Sequence, residues 1–226
     1  MLGFLICILF IAGYYGLMIL SLRFCNVEFV KIFREEYGKI LILCVASSIF
    51  VFWQVSMQKW IYTWDYLETW EPAIVCDQVV FSDPVQSLIN LRDSINYADY
   101  NNFLPMLMVL PLHLFGKSFL AYTLYVWVMF ALPAMFLTAS AIKTALKSFY
   151  DENISCATIF LSLFLIPLIE IPVMNGYANV SILMPGIILW MMILNSDTEK
   201  LQPVRLFLIL VLSILAVIQS MSAAYM

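Results

Sequence analysis

Carboxylates crowd one stretch of this chain. Between residues 59 and 102 stand Asp65, Glu68, Glu71, Asp77, Asp83, Asp93 and Asp99, set against Lys59 and Arg92. That is nearly half of the fifteen acids in the chain. The segment best suited to chemistry is Trp64-Asp65-Tyr66-Leu67-Glu68-Thr69-Trp70-Glu71, which directly follows an apolar run. On a helix, Asp65, Glu68 and Thr69 share a face. An acid held where a membrane helix meets the outside can take a proton from an acceptor hydroxyl. The plain alternative is a solvated boundary segment anchored by its aromatic rings, because acids cost little there.

Two further constellations carry polar groups. Asp99-Tyr100-Asn101-Asn102 runs into a proline-led apolar stretch that ends Leu114-Phe115-Gly116-Lys117. It reads as a turn, then a helix closed by a glycine C-cap. His113 sits there among leucines and reads as a packed or interfacial histidine rather than a metal ligand. Glu170-Ile171-Pro172 leads into Asn175-Gly176-Tyr177-Ala178-Asn179. An ionisable group at a membrane edge is a functional candidate, although Pro, Asn and Gly also suffice to build a turn. The sequons at Asn153 and Asn179 read as chance matches, one inside and one hard against the bilayer. Cys7, Cys25, Cys44, Cys76 and Cys156 show no CxxC or metal-type spacing and read mostly as small buried hydrophobes.

Composition says what must position these groups. Of 226 residues, 64% are hydrophobic and 12% charged, and the mean hydropathy is +0.95. A soluble domain has roughly 45–50% apolar and about 25% charged residues, so this chain cannot build a polar skin. A helix needs about 20 apolar residues to cross a bilayer core of roughly 30 Å. Runs near that length occur at 2–22, 40–58, 118–142, 154–172, 176–194 and 206–226. The fold expected is all-α and polytopic, with about six spans and a helical loop between the second and third. The run 2–22 lacks a basic leader and a small-residue cleavage pattern, so it reads as a retained helix. The last run reaches Met226 with no polar tail, which predicts a single transmembrane domain, 1–226, forming the N-terminal part of a longer protein.

Charge sets the orientation. If Phe103–Phe115, with Pro105 and Pro111, does not cross, Arg23, Lys31, Arg34, Lys39, Lys143, Lys147, Lys200 and Arg205 share one side. By the positive-inside rule that side is cytoplasmic. The loop 59–117 and the turn 173–180 then lie outside, and the short run lies at the outer interface or re-enters. Pro72 and Pro84 suit first helical positions, with Asp83 as cap. Val85, Leu88, Ile89 and Ile95 form a stripe that would rest on the membrane surface. No Lys/Arg cluster exists and the pI is about 4.9, which excludes a nucleic-acid partner.

In this order the pieces resemble the GT-C class of membrane glycosyltransferases, of the protein-mannosyltransferase and aminoarabinose-transferase type. The resemblance rests on WDYLETW after a span, on NNFLPMLMVLPLHLFGKS, and on IPVMNGYANVS in the second outer turn, over about residues 40–194. It implies an inverting transfer from a polyprenyl-phosphate-linked sugar to a hydroxyl on a glycan, lipid or protein acceptor. Asp65 would be the catalytic base. Glu68, Trp70, Arg92, Tyr100, Asn101, Lys117 and Asn179 would bind substrate. Many members of the class carry an acid where this chain has Asn179, so no metal or other cofactor is expected. The setting implied is a multi-pass protein among the lipids of the bacterial cell membrane. The competing reading is a polymerase, ligase or transporter of envelope glycans.

Overall fold

The computed structural model describes residues 1–25, 27–58, 67–97, 101–150, 154–166, 170–174, 178–194 and 202–221. Every regular element among them is helical. In chain order these are α1 (Leu2–Leu22), α2 (Phe29–Met57), α3 (Leu67–Ser82), α4 (Pro84–Tyr97), α5 (Phe103–Phe115), α6 (Phe119–Val126), α7 (Leu132–Tyr150), α8 (Cys156–Phe164), α9 (Glu170–Met174), α10 (Leu183–Leu194) and α11 (Pro203–Met221). A π-helical turn at Trp127–Ala131 joins α6 to α7, and a 3₁₀ turn at Ala178–Ile182 leads into α10.

Among the described residues, three helices are long and apolar enough to cross a membrane: α1, α2 and the rod Phe119–Ser148. At 1.5 Å per residue, the 21 residues of α1 alone match the hydrocarbon core of roughly 30 Å. Their outward faces carry apolar side chains left open, such as Leu9 at 61%, Ile42 at 68% and Ile49 at 63% exposure. In water such faces would drive association; in lipid they need no cover. The protein is membrane-embedded. Among the described residues, helix covers only part of the runs expected over 154–172, 176–194 and 206–226. Described helix runs Cys156–Phe164 and resumes at Glu170 in the first, begins as a 3₁₀ turn in the second, and runs Pro203–Met221 in the third.

Two other elements differ from expectation. Helix α2 starts at Phe29, eleven residues before the apolar run, because the polar segment Lys31–Lys39 extends the span as helix beyond its apolar part. Its backbone leaves helical geometry at Glu36 (φ −119°, ψ 15°). Pro72 is inside α3 rather than at its first position, so α3 loses one internal hydrogen bond there.

The core encloses α5, a helix below the length of a span. Leu104, Met106, Leu107, Met108, Val109 and Leu112 are all essentially inaccessible. Thirteen residues of helix reach about 20 Å, too short to cross. The helix is instead enclosed by α1, α3, α4, α6 and α11. Helix α4 is turned the other way. Its Ser87 and Ser94 face the protein, while Val85 and Leu88 are exposed at 60% and 44%. Of the apolar stripe, Val85, Leu88 and Ile89 are exposed and Ile95 is half-buried.

Polar ties fix the helices to one another. The π turn leaves a carbonyl outside the regular ladder, and the Tyr15 hydroxyl donates to Met129 O at 2.6 Å. The Trp127 indole donates to Ser48 Oγ at 3.2 Å. Gly3 allows α1 to press on α3: a β-carbon there would stand 2.6 Å from Val80 O.

Candidate functional site

In the described part of residues 59–117, two bases converge on one buried carboxylate. Asp77 sits on α3 with a side chain only 3% exposed. An acid in such a place must be paired or neutralised. His113, from the last turn of α5, sets Nδ1 2.8 Å from Asp77 Oδ1. Lys117, just past α5, places its ammonium on Asp77 Oδ2. The turn that delivers Lys117 depends on Gly116, whose φ of 122° is a conformation other residues rarely adopt.

Aromatic rings hold this cluster. The His113 ring stacks on Phe81 of α3, with centroids 3.7 Å apart and planes at 25°. Phe4 of α1 meets it edge-on at 5.3 Å. Trp70, in the second turn of α3, donates its indole N–H to Lys117 O at 3.1 Å and packs against Phe119. The start of α3, the end of α5 and the start of α6 are thus tied at one corner. The N-terminal span also belongs to the site, since Cys7 packs with Val80, Met106 and Val109.

The geometry limits the chemistry. With Nδ1 on a carboxylate, a neutral imidazole keeps its proton there and offers Nε2 as an acceptor; a protonated one offers Nε2–H as a donor. His113 and Lys117 are 33% and 43% exposed at the side chain, so both reach the protein surface while Asp77 does not. The cluster is built to meet a hydroxyl or an anionic oxygen. The Cys76 thiol is half-buried beside it in the chain, and burial pushes it up to about 11, which keeps it protonated and a poor nucleophile at neutral pH. Among the described residues no three His, Cys, Asp or Glu side chains gather as a metal site.

A cleft of about 360 Å³ opens on roughly the opposite face of α3, between α3, α4 and α5. Val75, Val79, Leu91 and Met106 form its apolar wall, and Glu71, Asn90 and Asn102 bring polar groups.

The sequence candidates fall in several places. Asp65 and Tyr100 lie outside the described residues, and so do the side chains of Glu68 and Asn179. Trp70 and Lys117 are brought together. Arg92 is exposed and pairs with its neighbour Asp93 at 2.7 Å. Asn101 is buried, donating to Ile218 O of α11 at 2.6 Å and accepting from Phe103 N at 3.0 Å. His113 has a carboxylate partner that its leucine neighbours did not announce. The available signals were an acid, Asp77, inside the apolar run AIVCDQVVF, and two bases four residues apart at 113 and 117.

A second buried carboxylate escaped the sequence reading altogether. Glu36 Oε1 accepts from Lys143 Nζ at 2.6 Å and Cys156 N at 2.9 Å; Oε2 accepts from Ser155 Oγ at 2.8 Å and Ala157 N at 2.9 Å. It joins α2 and α7 to the N-terminus of α8.

Fold and cluster define a membrane-embedded helical protein with a polar corner where α3, α5 and α6 meet. Compared with known proteins, the chain matches no protein family, no curated protein and no solved structure.

Proposed function

We propose that the chain belongs to a multi-pass glycosyltransferase that draws on a polyprenyl-phosphate-linked sugar and works on the outer face of a bacterial cell membrane. In this reading Asp65 takes the proton of an acceptor hydroxyl. The freed oxygen forms the new bond to the anomeric carbon, the bond to the phosphate oxygen breaks, and polyprenyl phosphate leaves with inversion. A positioned base of this kind contributes roughly 10²–10⁴-fold. The acceptor is a hydroxyl on a glycan, lipid or protein.

One observation carries the reading. Lys117 and His113 collect on Asp77 at a corner that Trp70 ties to α3, the helix beginning two residues after Asp65 in the chain. A base acting on a phosphate-linked donor needs cations nearby to offset charge on the leaving group. Lys117 supplies a point charge and His113 a donor when protonated. The enclosed helix α5 supports the same reading, since a non-spanning helix at membrane depth is tolerated where protein surrounds it.

Six spans follow if 154–172, 176–194 and 206–226 also cross, with loops 59–117 and 173–180 outside. The test is Asp65→Asn in the full-length protein, assayed in membranes for transfer from a polyprenyl-phosphate sugar. Turnover is expected to fall at least about 100-fold; wild-type turnover would remove the proposed base. Cysteines placed at Asp93 and Lys147 should label from opposite sides, and labelling of both from outside would overturn the topology.

A further inference from the structure

The end of α1 farthest from the Asp77 cluster carries a different feature. Where α1 gives way to α2, a groove of about 830 Å³ opens toward the outside of the helices. Ile19, Leu22, Val27 and Val30 supply apolar surface, and Arg23 and Arg34 supply its cations. Lys31 also lines it but is taken by Glu28 at 2.8 Å. Arg23 and Arg34 make no ion pair among the described residues, and Glu35 is the unpaired acid that faces them. A neighbouring hollow of about 530 Å³ shares Glu28, Lys31 and Glu35 and adds Lys147, again without an ion pair among the described residues. Lys143 beside it is held by Glu36. Among the described residues, three open cations therefore stand against one open carboxylate.

We infer that this groove is a binding site for one anionic glycerophospholipid, with its phosphodiester between Arg23 and Arg34 and an acyl chain along Ile19 and Leu22. Position argues for this occupant. The membrane-length run of α1 ends at Leu22, so Arg23 stands at the depth of lipid headgroups. Ile19 is 60% exposed on the same helix, which leaves the apolar part of the groove open sideways to lipid. Guanidinium groups match a phosphodiester with paired N–H donors and lose less hydration than an ammonium. A zwitterionic lipid presents its own cation to the same arginines and is disfavoured. The site is independent of the proposed transfer reaction, being at the other end of α1.

The test uses the full chain in neutral detergent, titrated with phosphatidylglycerol or phosphatidylcholine and read by native mass spectrometry. One phosphatidylglycerol should bind saturably, with phosphatidylcholine far weaker. Removing two headgroup-level charges in Arg23→Gln/Arg34→Gln should weaken it about 30-fold. Arg23→Lys/Arg34→Lys should recover part of the loss, which guards against a folding defect. The control Lys39→Gln removes an exposed cation that does not line the groove and should leave binding unchanged. An equal loss in the control would reduce the effect to diffuse surface charge and overturn the site. Equal retention of phosphatidylcholine would overturn the headgroup assignment, and glycerol phosphate binding as tightly as the lipid would overturn the acyl contact.

Discussion

Replacing Glu36 with alanine should be among the most damaging single changes in this chain, and the structure says by how much. The carboxylate is 9% exposed and fully engaged by an ammonium, a hydroxyl and two backbone N–H groups. The N–H groups of Cys156 and Ala157 open α8 and have no partner within their own helix. Ser155 caps Thr158 N and donates to Glu36 at the same time. Glu36→Ala strands the Lys143 ammonium, which is only 13% exposed. Breaking a buried pair from one side costs about 3–5 kcal/mol, and each buried donor left without an acceptor adds about 1 kcal/mol or more. Some water will enter, so the expected loss is about 4–6 kcal/mol. Lys143→Met should cost about 1–3 kcal/mol, because three donors still hold the carboxylate beside a helix N-terminus. The double variant should fall short of the sum by about 2 kcal/mol, since no ammonium is then stranded. Unfolding by dodecyl sulfate in mixed micelles, followed by tryptophan fluorescence, measures all four proteins. A Glu36→Ala loss under about 1 kcal/mol, or strict additivity in the double variant, would refute the reasoning.

Other outcomes follow from the same structure. Asp77→Asn keeps the shape but leaves Lys117 and His113 without their shared anion, and should cost about 1–3 kcal/mol in the same titration. Lys117→Met should cost about 1 kcal/mol or less, because that side chain is 43% exposed. Gly3→Val drives a side chain into Val80 O and should destabilise by about 1–3 kcal/mol. Gly13→Ala meets open space and should be neutral or stabilising by up to about 1 kcal/mol. Asn101→Ala cuts the link to Ile218 O, and faster amide hydrogen exchange in the last turns of α11 is the expected sign.

Local chemistry was legible in the sequence where one residue decides the backbone. Asp83 before Pro84 announced a helix start, and Gln86 N does donate to Asp83 Oδ1 at 3.0 Å. Gly116 announced a helix end and takes the positive φ that end needs. The run 2–22 gave α1 its observed bounds, because lipid asks only for apolar length. Pro72 misled, since a proline marks where a helix can start without forbidding an earlier start supported by packing.

The polar sites were hidden for a different reason. Asp77 and His113 are 36 residues apart, and Glu36 and Lys143 are 107 apart. No hydrophobic period encodes such pairs. What the sequence does encode is the need for them. Asp77 stands in an apolar run, and Glu36 lies four residues before one, so once buried each must find cations or free N–H groups. In this chain the candidates are few, because only eleven basic residues and one histidine exist to share among fifteen acids. His113 and Lys117, at one helix end, and Lys143, near the end of another long helix, are where that demand is met. In a sequence this apolar, an isolated acid within or beside a hydrophobic run is therefore a stronger pointer to a site than an acid in a charged loop. Water already satisfies the loop acid, whereas the other can be satisfied only by structure.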